Sequence, residues 1–180
     1  MWIETINKIV KFLLFTSLIV WFGGNVVRNS IAFTLFEPGS EFILLYDFTD
    51  PYFLTTVKLF GVAGAYTATC YVVVFLMSIY LFISNRKYFK IKGWIFIAFI
   101  LFLLSAIIEI PNTYLDTQLA IAIRDDVLKD KIQDLFMIRF ENAFFATGSA
   151  ISLFVNTSIL ALLVWRPLET PSVDQHGKII

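Results

Sequence analysis

The sequence predicts an all-α, polytopic membrane protein: a bundle of four transmembrane helices with an extra amphipathic segment on the outer side. Hydrophobic residues make up 58% of the 180 and the mean hydropathy is +0.79, well above what globular domains carry. Four stretches, about 9–31, 56–84, 93–111 and 142–165, reach the ~20 mostly apolar residues that a crossing needs. Charges gather between these stretches, and the formal net charge is zero. With no basic surplus to neutralise phosphates, nucleic-acid binding is excluded.

The first span follows Lys8 and Lys11 with "FLLFTSLIVWFGG". It reads as a retained span and not a cleaved signal, because no small-residue cleavage pattern follows and apolar character continues through Val26, Val27, Ile31 and Phe33. Ser17, Trp21, Gly24 and Arg28 recur at i, i+4, i+7, i+11 and share one face. The connection "FTLFEPGSEFILLYDFTDPYF" has turn chemistry at Pro38-Gly39 and Asp50-Pro51 around "FILLY", too short to span. It is expected to lie in the interface or dip back between helices.

In the second span Gly61, Gly64, Ala65, Ala68 and Thr69 set small residues four apart at 61/65, 64/68 and 65/69, the spacing that lets membrane helices approach closely. Span three ends in "EIPN", a carboxylate, a helix-disrupting proline and an amide. Pro111 has no N–H and frees a carbonyl about one turn back, near Ile107, so the helix is expected to open there. Residues 117–141 place Val127, Leu128, Ile132, Leu135 and Phe136 at helical spacing, an amphipathic helix that either runs into span four as one rod or rests on the outer surface. Its acids Asp126, Asp130 and Asp134 read as a solvated face. In span four Gly148 and Ser152 repeat the small-residue spacing, and Asn142, Ser149, Ser152 and Asn156 fall within about 80° of arc. That stripe must face protein, since unsatisfied amides in hydrocarbon cost several kcal/mol each.

Four crossings put both termini on one side. The terminal segments and the "NRKYFKIK" hairpin hold eight basic residues, the opposite connections six. The hairpin is purely basic, whereas those connections also carry Glu37, Glu41, Asp47, Asp50, Asp116, Asp125, Asp126, Asp130 and Asp134. By the positive-inside rule both termini are cytoplasmic and the chain is a multi-pass protein of the cell membrane. Residues 1–166 form the membrane domain and 167–180 a polar cytoplasmic tail. Trp94 and Trp165 fall at the inner interface, and Tyr46, Tyr52 and Tyr114 near the outer one.

All four spans bring polar groups to the outer level: Asn25, Arg28 and Asn29; Lys58; Glu109 and Asn112; Arg139 and Asn142. Each charge near lipid is costly and usually faces protein, a partner or a water-filled cavity. Glu109 with Arg28 is the expected pair, bidentate if geometry allows, with Lys58 and Arg139 as further cations. Three readings stay open: residues that end the spans at the headgroup boundary, a ligand-free ion-pair knot, or an outward-facing pocket for a small molecule, ion or lipid headgroup. No metal or cofactor site is expected. The single Cys70 lies in an apolar run, and the single His176 lies in the tail, leaving no histidine set for zinc or haem.

At "IEIPNTYLDTQLA" and "RFENAFFATGSAISL" the chain resembles the anthrone oxygenase-like family of four-helix integral membrane proteins. Pro111, Asn112 and Asn142 correspond to that family's proline and asparagine ending span three and its asparagine opening span four. The asparagine here directly follows the proline, and Phe145 or Ala146 stands where the family has arginine. The resemblance implies the architecture; the oxygenase activity would come only with it.

The functional expectation is a non-catalytic integral membrane protein, either a small subunit or a ligand- or lipid-binding bundle, because helix-packing faces are abundant while nucleophile, histidine base and metal-ligand sets are missing. Its partners are then the lipid bilayer and either another membrane protein or further copies of itself. The alternative is a membrane-embedded enzyme or a small-solute or proton transporter working through Glu109.

Overall fold

The computed structural model describes residues 2–39, 42–86, 89, 92–125 and 129–168. Five helices make up its regular structure: α1 (Trp2–Phe33), α2 (Pro51–Asn85), α3 (Gly93–Arg124), α4 (Lys129–Glu141) and α5 (Ala143–Trp165). All but α4 contain stretches long and apolar enough to cross a membrane, and the chain is a helical, multi-pass membrane protein. Large apolar side chains point outward along these helices, among them Phe12, Phe15, Phe154 and Val164, as a lipid solvent permits. The expected tail lies outside the described residues beyond Leu168, as do Lys87, Lys90, Glu41 and Asp126.

Helix α1 packs on α2, α2 on α3, and α5 on both α3 and α4. Small residues permit the close approaches. Gly61, Gly64 and Ala68 of α2 are buried, while Ala65 and Thr69 are exposed, so the packing face runs through 61, 64 and 68 and the expected 65/69 pair faces outward. A β-carbon on Gly24 would stand 2.6 Å from Thr67, which is how tightly α1 meets α2. On α5, Gly148 and Ser152 are buried as their spacing predicts.

Helix starts are set by local chemistry. The Asp50 carboxylate accepts from the Tyr52 N–H at 2.7 Å, with Pro51 at the first helical position, where a missing N–H costs nothing. Asn142 caps α5 in the same way, its Oδ1 accepting from Phe144 N at 2.9 Å.

Two expectations are corrected here, and the connection after α1 is given its form. Helix α3 does not open at "EIPN" but runs through Pro111 to Arg124; a proline inside a packed membrane helix is tolerated because its neighbours hold the backbone in place. The expected amphipathic helix over 117–141 is divided between the end of α3 and a separate α4, and α4 is neither a rod with α5 nor a surface float. Its face of Ile132, Phe136, Arg139 and Phe140 is buried in the protein. The connection after α1 folds back as a small hairpin, with Glu37 N donating to Ile43 O at 2.8 Å and Leu45 N to Leu35 O at 2.9 Å. Phe42 of this hairpin packs its ring on Phe33, Phe36 and Phe140.

Helices α2 and α3, of 35 and 32 residues, are about 50 Å long at 1.5 Å per residue. A hydrocarbon layer of about 30 Å leaves roughly 20 Å of each outside it. The excess is covered by α4 and the hairpin, which form a cap with its own core: Ala32, Leu35, Phe36, Phe53, Val57, Phe60, Leu119, Ala122, Ile132, Phe136 and Phe140. Phe136 is its hub, with ring contacts to Phe36, Phe53, Phe60 and Phe140. The opposite end carries the α2–α3 turn and is tied by Gly93 N donating to Leu168 O.

Candidate functional site

Directly beneath the cap core, side chains from all five helices form one buried polar cluster. One face of α3 supplies Ser105, Glu109, Asn112 and Asp116, at i, i+4, i+7 and i+11, all buried. Measured from Gly93, Glu109 stands about 24 Å and Asp116 about 34 Å along the helix.

Asp116 is the centre. Arg28 of α1, only 1% exposed, donates from Nη2 to Asp116 Oδ2 at 2.6 Å and from Nη1 to Thr67 Oγ1 of α2 at 3.3 Å. Its guanidinium carbon lies 4.6 Å from the centre of the Phe60 ring, where the negative π face stabilises a cation. The guanidinium also stands close to Gly64, at which an added β-carbon would be 2.8 Å from Nη1. On the other side, Arg139 Nε stands 3.5 Å from Asp116 Oδ1, an ion-pair separation rather than a good hydrogen bond. Arg139 Nη1 donates to Phe145 O at 2.9 Å and to Ser149 Oγ at 2.7 Å, and Asn112 Nδ2 donates to the same hydroxyl at 3.2 Å. Burial pulls the Arg139 guanidinium below its ordinary pKa, with Asp116 the largest opposing influence. A guanidinium still keeps its proton in proteins, so Arg139 is a fixed charge.

Glu109 lies one level deeper. Its carboxyl is turned to Ser152 of α5, and Arg139, Asp116 and Arg28 are the charges that surround it. Among the described residues it forms no ion pair, since both arginines are taken by Asp116. The expected Glu109–Arg28 pair is therefore corrected to Asp116–Arg28. The reason is geometric: α3 continues past Glu109 to Arg124, and Asp116, expected in a loop, arrives two turns on along the same face at the height of Arg28.

The other expected site residues divide. Asn25 and Asn29 line a cavity of about 30 Å³ with Glu109, Arg139, Ser149 and Asn156, enough room for a water-sized group. Lys58 does not join. It is exposed, because the inward stripe of α2 runs through Phe53, Thr56, Val57 and Phe60 and position 58 turns away from it. Asn142 does not join either; it is exposed and spends its side chain on the cap of α5.

Asp116, Thr67, Gly64, Ser149 and Ser152 complete the cluster. The last two belong to the polar stripe legible on span four. Asp116 could have been found from the face Glu109, Asn112, Asp116 once the helix is carried through Pro111. Thr67 carried no separate signal.

Four buried atoms in the cluster make no hydrogen bond among the described residues: Arg28 Nε, Arg139 Nε, Asn112 Oδ1 and Asp116 Oδ1. Such groups are rare in folded interiors. Among the described residues no group of three or more His, Cys, Asp or Glu side chains is placed to hold a metal ion. The arrangement can bind polar groups by charge and hydrogen bond, and Glu109 can exchange a proton. No family model, curated protein or solved structure matches this chain.

Proposed function

We propose that the protein is a ligand-binding membrane bundle whose site is the polar cluster, reached between α1 and α5. The observation that carries this reading is that Glu109 and Arg139, a carboxyl and a guanidinium and both buried, line one cavity with Asn25, Asn29 and Asn156 where α1 and α5 meet only marginally. A knot serving stability alone has every reason to close on itself, because buried ion pairs contribute little unless their remaining polar atoms are satisfied. Here the polar side chains of Asn25, Asn29, Glu109 and Arg139 line a cavity instead.

The test is native mass spectrometry of the full chain extracted in mild detergent, wild type against Asn25→Leu and Asn156→Leu. A small molecule that accompanies wild type and is lost from folded variants supports the site. A wild-type protein that carries none, and whose melting temperature no added lipid or metabolite extract raises, overturns it.

A second reading, proton or acid–base chemistry through Glu109, is favoured by its lack of an ion pair. A Glu109→Gln variant that stays folded and loses proton flux in vesicles would support it. The small-subunit reading predicts a stable heteromeric particle in the same mass spectrum. The resemblance to the anthrone oxygenase-like proteins is a proposal of shared architecture. Cytoplasmic termini are proposed on the basic hairpin, and are tested by protease or cysteine-labelling access from each side.

A further inference from the structure

Below the cluster, away from the cap, the four long helices enclose an apolar chamber of about 250 Å³. Leu14, Leu18, Val74, Phe102 and Leu163 are in its wall, and Trp94 lines the far end with an indole N–H that has no partner among the described residues. Phe22 of α1 and Asn156 of α5 line both this chamber and the polar cavity at Glu109. The two spaces are therefore neighbours along the same α1–α5 seam, polar above and apolar below. From Glu109 to Ala98 in the chamber wall is eleven residues of α3, about 16 Å. That is close to the hydrocarbon depth of one leaflet, half of about 30 Å.

The head of an occupant is constrained by charge and size. Glu109 and Arg139 both face the upper cavity, so an anionic head would meet the carboxylate and a cationic one the guanidinium. A group that donates to one and accepts from the other is complementary to both. At about 30 Å³ the cavity has room for a group the size of a hydroxyl, which donates to the carboxylate and accepts from the guanidinium.

We infer that this seam holds a single-chain lipid with a small uncharged hydroxyl head seated between Glu109 and Arg139, its hydrocarbon chain running down between α1 and α5 into the chamber. The inference rests on the ligand-binding reading and names the ligand class.

The experiment uses the full chain, with Trp2 and Trp165 replaced by Phe, in phosphatidylcholine nanodiscs, leaving Trp21 beside the head cavity and Trp94 at the chain end. The probes are hexadecanol brominated at its far end, hexadecanoic acid brominated at the same carbons, and a phosphatidylcholine brominated at its chain ends. The brominated alcohol is expected to quench Trp94 saturably at one-to-one stoichiometry, and the acid to need at least a tenfold higher concentration, about 1.4 kcal/mol. Trp94→Phe should remove the saturable component. Ser78→Leu and Ala98→Phe, which fill the chamber, should do the same in protein that still melts cooperatively. Equal or tighter binding of the acid would overturn the uncharged head, and saturable quenching by the phosphatidylcholine would overturn the single chain. No saturable quenching by any probe would overturn the seam as a lipid site. A molecule that still accompanies wild type and is lost from Asn25→Leu would in that case leave the cluster standing as a ligand site.

Discussion

The cap and the membrane half of this bundle fill their interiors in opposite ways. In the cap, eleven buried apolar residues interlock around Phe136. In the membrane half the same helices enclose an apolar chamber of about 250 Å³, and most large side chains face outward. The difference follows from the solvent. In water an apolar core drives association at roughly 25 cal/mol per Å² buried, so the cap closes. In lipid that drive is missing and helices meet only where small residues or hydrogen bonds bring them together. Space between them is then tolerated, and the polar cluster sits at the boundary between the two regimes.

This contrast orders the expected effects. Asp116→Ala should be the most damaging substitution, because it strands two buried guanidinium groups; breaking a buried pair costs about 3–5 kcal/mol, visible as a large fall in melting temperature in detergent. Phe136→Ala empties the hub of the cap and should cost about 3–4 kcal/mol by cavity formation. If it costs less than 1 kcal/mol, the cap is not a water-type core. Gly64→Ala should cost about 1–3 kcal/mol, because the added carbon pushes on a guanidinium already held by Asp116 and cannot move it cheaply. Asn142→Ala should cost about 1 kcal/mol, the ordinary value of a lost helix cap. Least affected are Lys58→Ala and the chamber-filling Ser78→Leu, each expected within about 0.5 kcal/mol of wild type. A severe loss in Ser78→Leu would show that the chamber is packed as tightly as the cap, and would remove the contrast itself.

Much of the architecture was legible because period and composition act locally. The face Ser17, Trp21, Gly24, Arg28 and the stripe Ser149, Ser152, Asn156 follow from helical geometry, and both turn inward. The polar level was legible for Arg28, Glu109, Asn112 and Arg139, since lipid forbids isolated charges. Pro111 misled: taken as a helix end, it hid the continuation of α3 to Arg124 and assigned Asp116 to a loop. Lys58 and Asn142 shared the right level, but level along a helix axis says nothing of rotation about it.

Taken by itself, the sequence determined that this chain spans a membrane with four apolar helices and that charged groups must gather toward one end, because transfer of charge and backbone into hydrocarbon is prohibitive whatever the fold. Only the tertiary structure decided that Arg28 and Arg139 share Asp116 and leave Glu109 facing a cavity. Pairing depends on rotations and heights of helices far apart in the chain, and those are set by where Gly24, Gly64 and Gly148 let neighbours approach.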